Sequence, residues 1–285
     1  MLYYGIKPES LGQLGALGRQ VCQCQEEVVE LKVKFLRPYG VAYLDQMMLY
    51  EKGTRTRRYL VSTYPNVNQY LKQIGFKHLH PKAEGQKPFP QEDIIKVKRF
   101  GGTAIEVEMA VVNWLMKKVI PCLPSLSPEV HKKIVENLWE IVHNGLYHGN
   151  GKHGVTGAGQ FYPAMGYFEV AFYDRGYGIP ARVRDFGAIK SDKPDSECIN
   201  WAIQKGNSTE PISETSGLGL HVLREFLMMN GGLLQIVSGN GYFHQSGGDP
   251  ETFRTETMRN SIDGTLVNIR VIYDDRLYMM AGEDL

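Results

Sequence analysis

A carboxylate, an amide and an imidazole recur at four-residue spacing near the middle of the chain. They are Glu140, Asn144 and His148, within E-N-L-W-E-I-V-H-N-G-L-Y-H-G at residues 136–149. Apolar residues at spacings of three and four predict a helix here, and a helix would align the three polar side chains along one edge. Such a row is either a solvent-exposed face or the wall of a polar site. The apolar residues are Val135, Leu138, Val142 and Leu146.

A second group of candidate residues lies in D-R-G-Y-G-I-P at residues 174–180, directly after an apolar segment that predicts a strand. The carboxylate of Asp174 can accept a hydrogen bond from an exocyclic amine, such as the one adenine carries at N6. Gly176 and Gly178 allow a tight turn and a close approach of the backbone to a flat ring. Turns are generally rich in Asp and Gly, so the motif alone leaves an ordinary turn as the alternative.

A third group lies in S-G-L-G-L-H at residues 216–221, which opens a predicted helix. Glycines at a helix N-terminus expose unpaired N–H groups at the positive end of the helix dipole, and this arrangement binds phosphate. A fourth piece is Gly264-Thr265 before the last predicted strand. Each of these pieces alone is an ordinary feature of proteins.

Hydrophobic periodicity and Gly/Pro positions predict the elements that would position these residues. From residue 94 onward the predicted elements begin with a strand at 94–100, a helix at 103–119 and a second helix that carries the Glu140 row; Thr103 and Ser127 are the predicted caps of these two helices. A glycine-rich loop at 149–159, a strand at 166–173 and a helix at 216–228 follow. The last elements are strands at 231–238 and 264–272, joined by a polar hairpin or excursion at 239–260.

The first part of the chain predicts a small α/β domain at residues 1–80. Its elements are helices at 10–24, 41–51 and 65–74 and strands at 28–35 and 58–62. A polar segment with several prolines follows, and we interpret residues 81–93 as a linker.

Composition narrows the function classes. The 285 residues are 42% hydrophobic and 22% charged with a net charge of +1, which gives no electrostatic case for nucleic-acid or membrane binding. We find no signal peptide and no apolar run of membrane-spanning length, and the four cysteines make no disulfide framework. Cys22-x-Cys24 lacks a second Cys/His pair at zinc spacing. We therefore expect a cytoplasmic protein.

The order of these four pieces resembles that of the GHKL superfamily of ATP-binding proteins. The pieces are E-x-x-x-N with His, D-x-G-x-G-I-P, S-G-L-G-L, and G-T before a strand. The superfamily contains sensor histidine kinases, anti-sigma kinases, type II topoisomerases, mismatch-repair ATPases and a heat-shock chaperone. The resemblance spans residues 94–273. It implies that residues 94–275 form an α+β domain, a two-layer α/β sandwich of the Bergerat type with a mixed, mainly antiparallel sheet, before a tail at 276–285.

The resemblance also implies ATP and Mg²⁺ as ligands. Asn144 would hold Mg²⁺, and Glu140, one turn earlier, would be the general base for the attacking water. Asp174 would bind the adenine amine together with Thr265, and residues 181–216 would form a mobile lid. The base would be flanked by Gly176, Gly178 and Ile179, and the phosphates by His148, Gly217, Leu218, Gly219 and Leu220. One departure is Tyr147, where the superfamily often has Lys or Arg; His148 or Lys152 is the substitute cation we consider.

The N-terminal stretches F-L-R-P-Y-G-V-A-Y-L (35–44) and Y-P-N-V-N-Q-Y-L-K-Q-I-G-F (64–76) resemble a degenerate STAS domain, the fold of anti-sigma-factor antagonists. Signalling members carry a phosphorylatable Ser at the entry to the first long helix, where this chain has Arg37-Pro38-Tyr39-Gly40. The resemblance therefore implies a protein-contact or scaffolding role, and an unrelated α/β unit is the alternative.

Three functions are open from the sequence. The first is an Mg-ATP-driven conformational switch in signalling that hydrolyses ATP slowly and acts on a protein partner through the N-terminal domain or the lid. The second is an anti-sigma-like protein serine/threonine kinase, and the third is a regulatory nucleotide-binding module without turnover. Histidine autophosphorylation is disfavoured, because His78, His80 and His131 lie outside any long helical hairpin. Homodimers are common in the superfamily, so homodimerisation is open as well.

Overall fold

The computed structural model describes residues 11–24, 26–49, 58–88, 90, 93–101, 104–148, 153–209, 219–247 and 253–279. The helices are α1 Leu14–Gln23, α2 Pro38–Met47, α3 Pro65–Gln73, α4 Ala104–Trp114, α5 Pro128–His143, α6 Gly178–Asp185, α7 Asp195–Ala202 and α8 Gly219–Asn230, with π-helical turns at Leu115–Val119 and Asn144–His148 and short 3-10 turns at Leu11–Gln13, Ile120–Cys122 and Pro163–Met165. The strands are β1 Val28–Leu31, β2 Tyr59–Ser62, β3 Ile94–Phe100, β4 Val155–Tyr162, β5 Tyr167–Asp174, β6 Leu233–Ser246 and β7 Phe253–Ile272.

Within the described residues, β3, β4, β5, β7 and β6 form a five-stranded sheet in that spatial order, and every neighbouring pair is antiparallel. The chain is thus a mixed α/β protein, compatible with the predicted α+β class. The predicted mixed sheet is wrong in one respect, because the parallel pairing lies in a separate two-stranded sheet of β1 and β2. Neither of those short strands joins the larger sheet.

The central strand β5 is buried along its whole length and sends alternate side chains to opposite faces of the sheet. Phe168 and Phe172 pack on one face against α4, α5 and α8. Ala171 and Tyr173 pack on the other face against the N-terminal helices α1 and α2. The sheet therefore lies between two helical layers, and the second layer comes from the N-terminal segment.

Helix α2 is the centre of this second layer. Every residue of Pro38–Met47 is buried, and the helix packs on β4 and β5. Two ion pairs fix its position: Arg37 Nη1 lies 2.9 Å from Glu169 Oε2, and the Arg99 guanidinium contacts both oxygens of Asp45. The prediction that residues 1–80 form a domain of their own stays a prediction. What the structure shows is that this segment shares a hydrophobic core with the sheet.

Helix α5 begins as the sequence predicts. The Ser127 hydroxyl accepts a hydrogen bond from the Val130 N–H at 3.2 Å, and Pro128 occupies the first turn. The helix ends in the π-helical turn Asn144–His148, which widens the backbone next to the sheet. Thr103, the predicted cap of α4, lies outside the described residues.

Strand β6 folds back on itself near Gly239. The Gly247 N–H donates to the Gly232 carbonyl at 2.7 Å, which brings the two halves of the strand side by side. Strand β7 pairs with both halves, so the described parts of the predicted polar segment, 239–247 and 253–260, pair as a β-hairpin.

Several predicted boundaries need correction. The predicted glycine-rich loop at 149–159 contains the start of β4 at Val155, and the strand predicted at 28–35 ends at Leu31. Helix α2 begins at Pro38, three residues before the predicted start. Part of the predicted lid is helical, in α6 and α7. None of the described helices has the length and apolar character that crossing a membrane requires.

Candidate functional site

A pocket of about 1050 Å³, its solvent-open mouth included, lies where α5, α6, α7 and α8 meet the end of β5 and the middle of β7. Predicted site residues from four separate segments line it: Glu140 and Asn144, Asp174 with Gly178 and Ile179, Leu220, and Thr265. The structure therefore brings together residues that are up to 125 positions apart in the sequence.

Asp174 forms the buried end of the pocket. Its side chain is at the last position of β5, opposite Thr265 of β7 in the antiparallel ladder, and the residue is 6% exposed. Its Oδ1 accepts a hydrogen bond from the Gly176 N–H at 3.0 Å. Burial raises the pKa of the Asp174 carboxyl to about 7, although hydrogen bonds from the Gly176 and Thr265 backbone oppose the shift.

The hydroxyl of Ser238 connects the elements around Asp174. It donates to the Gly264 carbonyl at 2.8 Å, accepts from the Ile179 N–H at 2.9 Å, and lies 3.0 Å from Thr265 Oγ1. Because Ser238 gives its one proton to Gly264, the Thr265 hydroxyl is the donor in their contact. The lone pairs of Thr265 then stay available to a ligand in the pocket.

Two glycines make this packing possible. A Cβ on Gly145 would lie 2.7 Å from Val155 Cγ2 and 3.1 Å from Asp174 Cβ, so only glycine lets the π-helical turn approach the buried carboxyl. Gly264 has a φ of +77°, and a Cβ there would lie 2.1 Å from the Asp174 carbonyl oxygen. Both glycines therefore set the position of Asp174.

The other end of the pocket is polar and open. Glu140 is half-buried on α5, and Asn144 is exposed at the start of the π-helical turn. Single π-helical turns inside α-helices are frequent at functional sites. The backbone of His148 ends this turn, and its side chain lies outside what the structure describes. Tyr147 is 46% exposed, with its ring centroid 4.4 Å from that of His143.

The remaining predicted site residues are not on the pocket wall, or lie beyond the description. Gly176 contributes its N–H to Asp174 and does not line the pocket. Gly219 begins α8. Gly217 and Leu218 lie outside the described residues, as do residues 210–216 of the predicted lid. Whether the lid moves stays a prediction.

Among the site residues that sequence reasoning missed are Gly145, Ser238, Arg182 and Trp201. Arg182 lies one helical turn after Ile179, and it is the one Lys or Arg among the described residues that line the pocket. Trp201, from α7, adds a large ring to the wall. The spacing from Ile179 was a usable signal for Arg182, because residues three apart share a helix face. No local pattern marks Ser238.

The rest of the lining is mostly apolar and comes from the sheet and the helices around it. Val155, Phe172 and Val267 form the floor on the sheet, and Ile141 and Val183 contribute from α5 and α6. A flat apolar ligand with polar edges fits this arrangement, since such a ligand buries its faces and presents its edges to Asp174 and Thr265. In the parts of the chain that the structure describes, no three His, Cys, Asp or Glu side chains converge on a metal-binding point.

The chain was also compared with known proteins. No model of a protein family matches it, and no functionally curated protein has a matching sequence.

Proposed function

We propose that this pocket binds ATP together with Mg²⁺ and that the chain hydrolyses ATP slowly, acting in the cytoplasm as a conformational switch on a protein partner. The observation that carries the proposal is the convergence of Glu140, Asn144, Asp174 and Thr265 on one pocket. These residues come from three sequence segments with separate chemical roles, in an arrangement that a nucleotide would span from a buried base-binding end to an open polar end.

The base would lie at the Asp174 end. The ionised carboxylate of Asp174 would accept a hydrogen bond from adenine N6, and Thr265 has lone pairs for the same amine or for a bridging water. Ile179 and Trp201 would cover the faces of the ring. Guanine carries an oxygen where adenine carries the amine, so GTP should bind more weakly than ATP.

The phosphates would lie at the Asn144 end. The exposed amide oxygen of Asn144 suits a hard cation held mainly by phosphate oxygens, which needs few protein ligands. Mg²⁺ would supply positive charge against the phosphates there. Glu140, one turn before Asn144, would accept the proton of the attacking water. The N–H groups that open α8 at Gly219, with Gly217, Leu218 and Leu220, would surround the phosphates.

The proposal includes the GHKL superfamily with its Bergerat fold for residues 94–275, and a STAS-like origin for the N-terminal segment. An antiparallel sheet under α4, α5 and α8, with the pocket between the sheet and the helices, supports the first part. The parallel pair β1 and β2, followed by α3, supports the second. The entry to α2 has no Ser or Thr, and Pro38 and Tyr39 are buried, which argues against a phosphorylation switch at that point.

The fate of the terminal phosphate tests the proposal. The protein would be incubated with Mg²⁺ and ATP labelled at the γ-phosphate, alone and with cell extract. We expect free labelled phosphate, lost in Glu140→Gln while ATP binding is kept. Label on a protein in the extract would instead show a kinase, and bound but intact ATP would show a non-hydrolysing binder. No ATP binding at all would contradict the proposal.

A further inference from the structure

Helix α2 contacts the sheet directly behind the pocket. Gln46 Nε2 donates hydrogen bonds to the Gly154 carbonyl at 3.2 Å and to Thr156 Oγ1 at 2.9 Å. Between these two residues lies Val155, which points to the other face of the sheet and lines the pocket. Val155 is also the partner of Asp174 in the β4–β5 ladder. A single side chain of α2 therefore hydrogen-bonds to the residues on both sides of a pocket residue, to the backbone of Gly154 and to the side chain of Thr156.

The donor and acceptor roles of the Thr156 hydroxyl are fixed by its two partners. The Thr156 hydroxyl donates to Asp45 Oδ2 at 3.0 Å, so it can only accept from Gln46. Asp45 is in turn held by Arg99, whose Nε and Nη2 lie 2.5 and 2.7 Å from its two carboxylate oxygens. Thr156, Gln46 and Asp45 are each 0% exposed. A buried network of this kind permits few alternative geometries.

A second contact from α2 reaches the strand that carries Asp174. The rings of Tyr43 and Tyr173 pack with their centroids 4.9 Å apart, and the Tyr173 hydroxyl donates to the Asp263 carbonyl at 2.7 Å. The next residue, Gly264, is the one that packs against the Asp174 backbone. Tyr173 thus connects the end of β5 to the β7 segment that carries Thr265.

We propose that Gln46 and Tyr173 are positioning residues for the base-binding end of the pocket, acting through β4 and through the turn at Gly264. The inference rests on the proposed ATP site. A ligand that hydrogen-bonds to both Asp174 and Thr265 needs the two strands in fixed relative positions at these residues, because a binding site must hold its groups within about 0.5 Å of the productive geometry. The N-terminal segment would therefore set nucleotide affinity and base selectivity from the opposite face of the sheet.

Gln46→Leu and Tyr173→Phe test the inference. ATP and GTP dissociation constants would be measured by calorimetry for each variant and for the wild type, well below the temperature at which each variant unfolds. We expect ATP binding to weaken about tenfold in Gln46→Leu and about threefold in Tyr173→Phe, since each loses hydrogen bonds that hold the site. The preference for ATP over GTP should fall in both variants.

Arg37→Met is the matched control. It removes an ion pair between the same N-terminal segment and the same strand β5, but its partner Glu169 lies five residues before Asp174, about 17 Å away along the strand. We expect it to lower stability and to change ATP affinity less than twofold.

The outcomes separate the two proposals. If the wild type does not bind ATP, the proposed function falls and this inference falls with it. If the wild type binds ATP and both folded variants keep its affinity and base preference, the contacts are purely structural and the inference alone is overturned. The same holds if Arg37→Met weakens ATP binding as much as the two test variants do. Tyr173→Phe keeps the ring and its packing, so it tests the inference even if Gln46→Leu fails to fold.

Discussion

At the scale of single residues, the buried carboxyl of Asp174 makes the stability of the protein depend on pH. Its pKa of about 7 lies above the usual 3.8, so between these values the folded state holds a proton that the unfolded state releases. Stability is therefore lost as pH rises from about 4 to about 7. At pH 8 we expect the free energy of unfolding of Asp174→Asn, which cannot ionise, to exceed that of the wild type by up to about 4 kcal/mol.

Urea unfolding at pH 4.5 and pH 8 measures this difference. The advantage of Asp174→Asn should be small at the lower pH, where the wild-type carboxyl is protonated, and the same variant should lose ATP binding. An equal difference between variant and wild type at both pH values would mean that Asp174 is ionised with an ordinary pKa.

Arg182 is the one Lys or Arg among the described residues that line the pocket. We expect Arg182→Gln to weaken ATP binding about tenfold, the loss of one charge-assisted hydrogen bond, while adenosine binding stays within about twofold. Fluorescence of Trp201, which shares the pocket wall, gives a direct titration signal.

Arg184→Gln serves as the control for Arg182. Arg184 lies on the same helix but pairs with Asp195 at 2.7 Å, away from the pocket wall. The substitution Arg184→Gln should leave the ratio of ATP affinity to adenosine affinity unchanged. An unchanged ratio in Arg182→Gln as well would place the phosphates elsewhere.

At the scale of elements, the sequence predicted most helices and the strands at 94–100, 231–238 and 264–272, but it missed β4. The segment V-T-G-A-G-Q-F-Y reads as a loop because of its glycines. In the structure these glycines make room for neighbours. A Cβ on Gly157 would lie 3.2 Å from a ring carbon of Trp114 and 3.3 Å from one of Phe172, so even a methyl group there would require these rings to shift.

The candidate site was predictable to a similar extent. Glu140, Asn144, Asp174 and Thr265 belong to motifs that can be read locally, and the pocket contains all four. Ser238 sits in an ordinary strand, and its role depends on two partners that arrive from other parts of the chain. Contacts of that kind depend on the tertiary fold, which no window of neighbouring residues contains.

At the scale of the whole molecule, the N-terminal layer should be needed for the sheet to fold. A chain starting at residue 94 would expose the buried face that carries Ala158, Ala171 and Leu266, and would leave Glu169 without Arg37. We expect this truncation to show neither cooperative unfolding nor protection from protease. Circular dichroism during heating and limited proteolysis measure both. A truncated chain that unfolds cooperatively would show that residues 94–285 are an independent domain.

The position of α1 against β7 has a consequence for how the protein is made. Arg19 donates a hydrogen bond to the Asn260 side chain, 241 residues further along the chain. During synthesis the N-terminal helices leave the ribosome long before the strands that they cover have been synthesised. Their apolar faces therefore remain exposed to solvent until the hairpin of β6 and β7 has emerged. Contacts between such distant residues also slow folding. The pocket therefore forms only after the β7 segment that carries Thr265 and Val267 has left the ribosome.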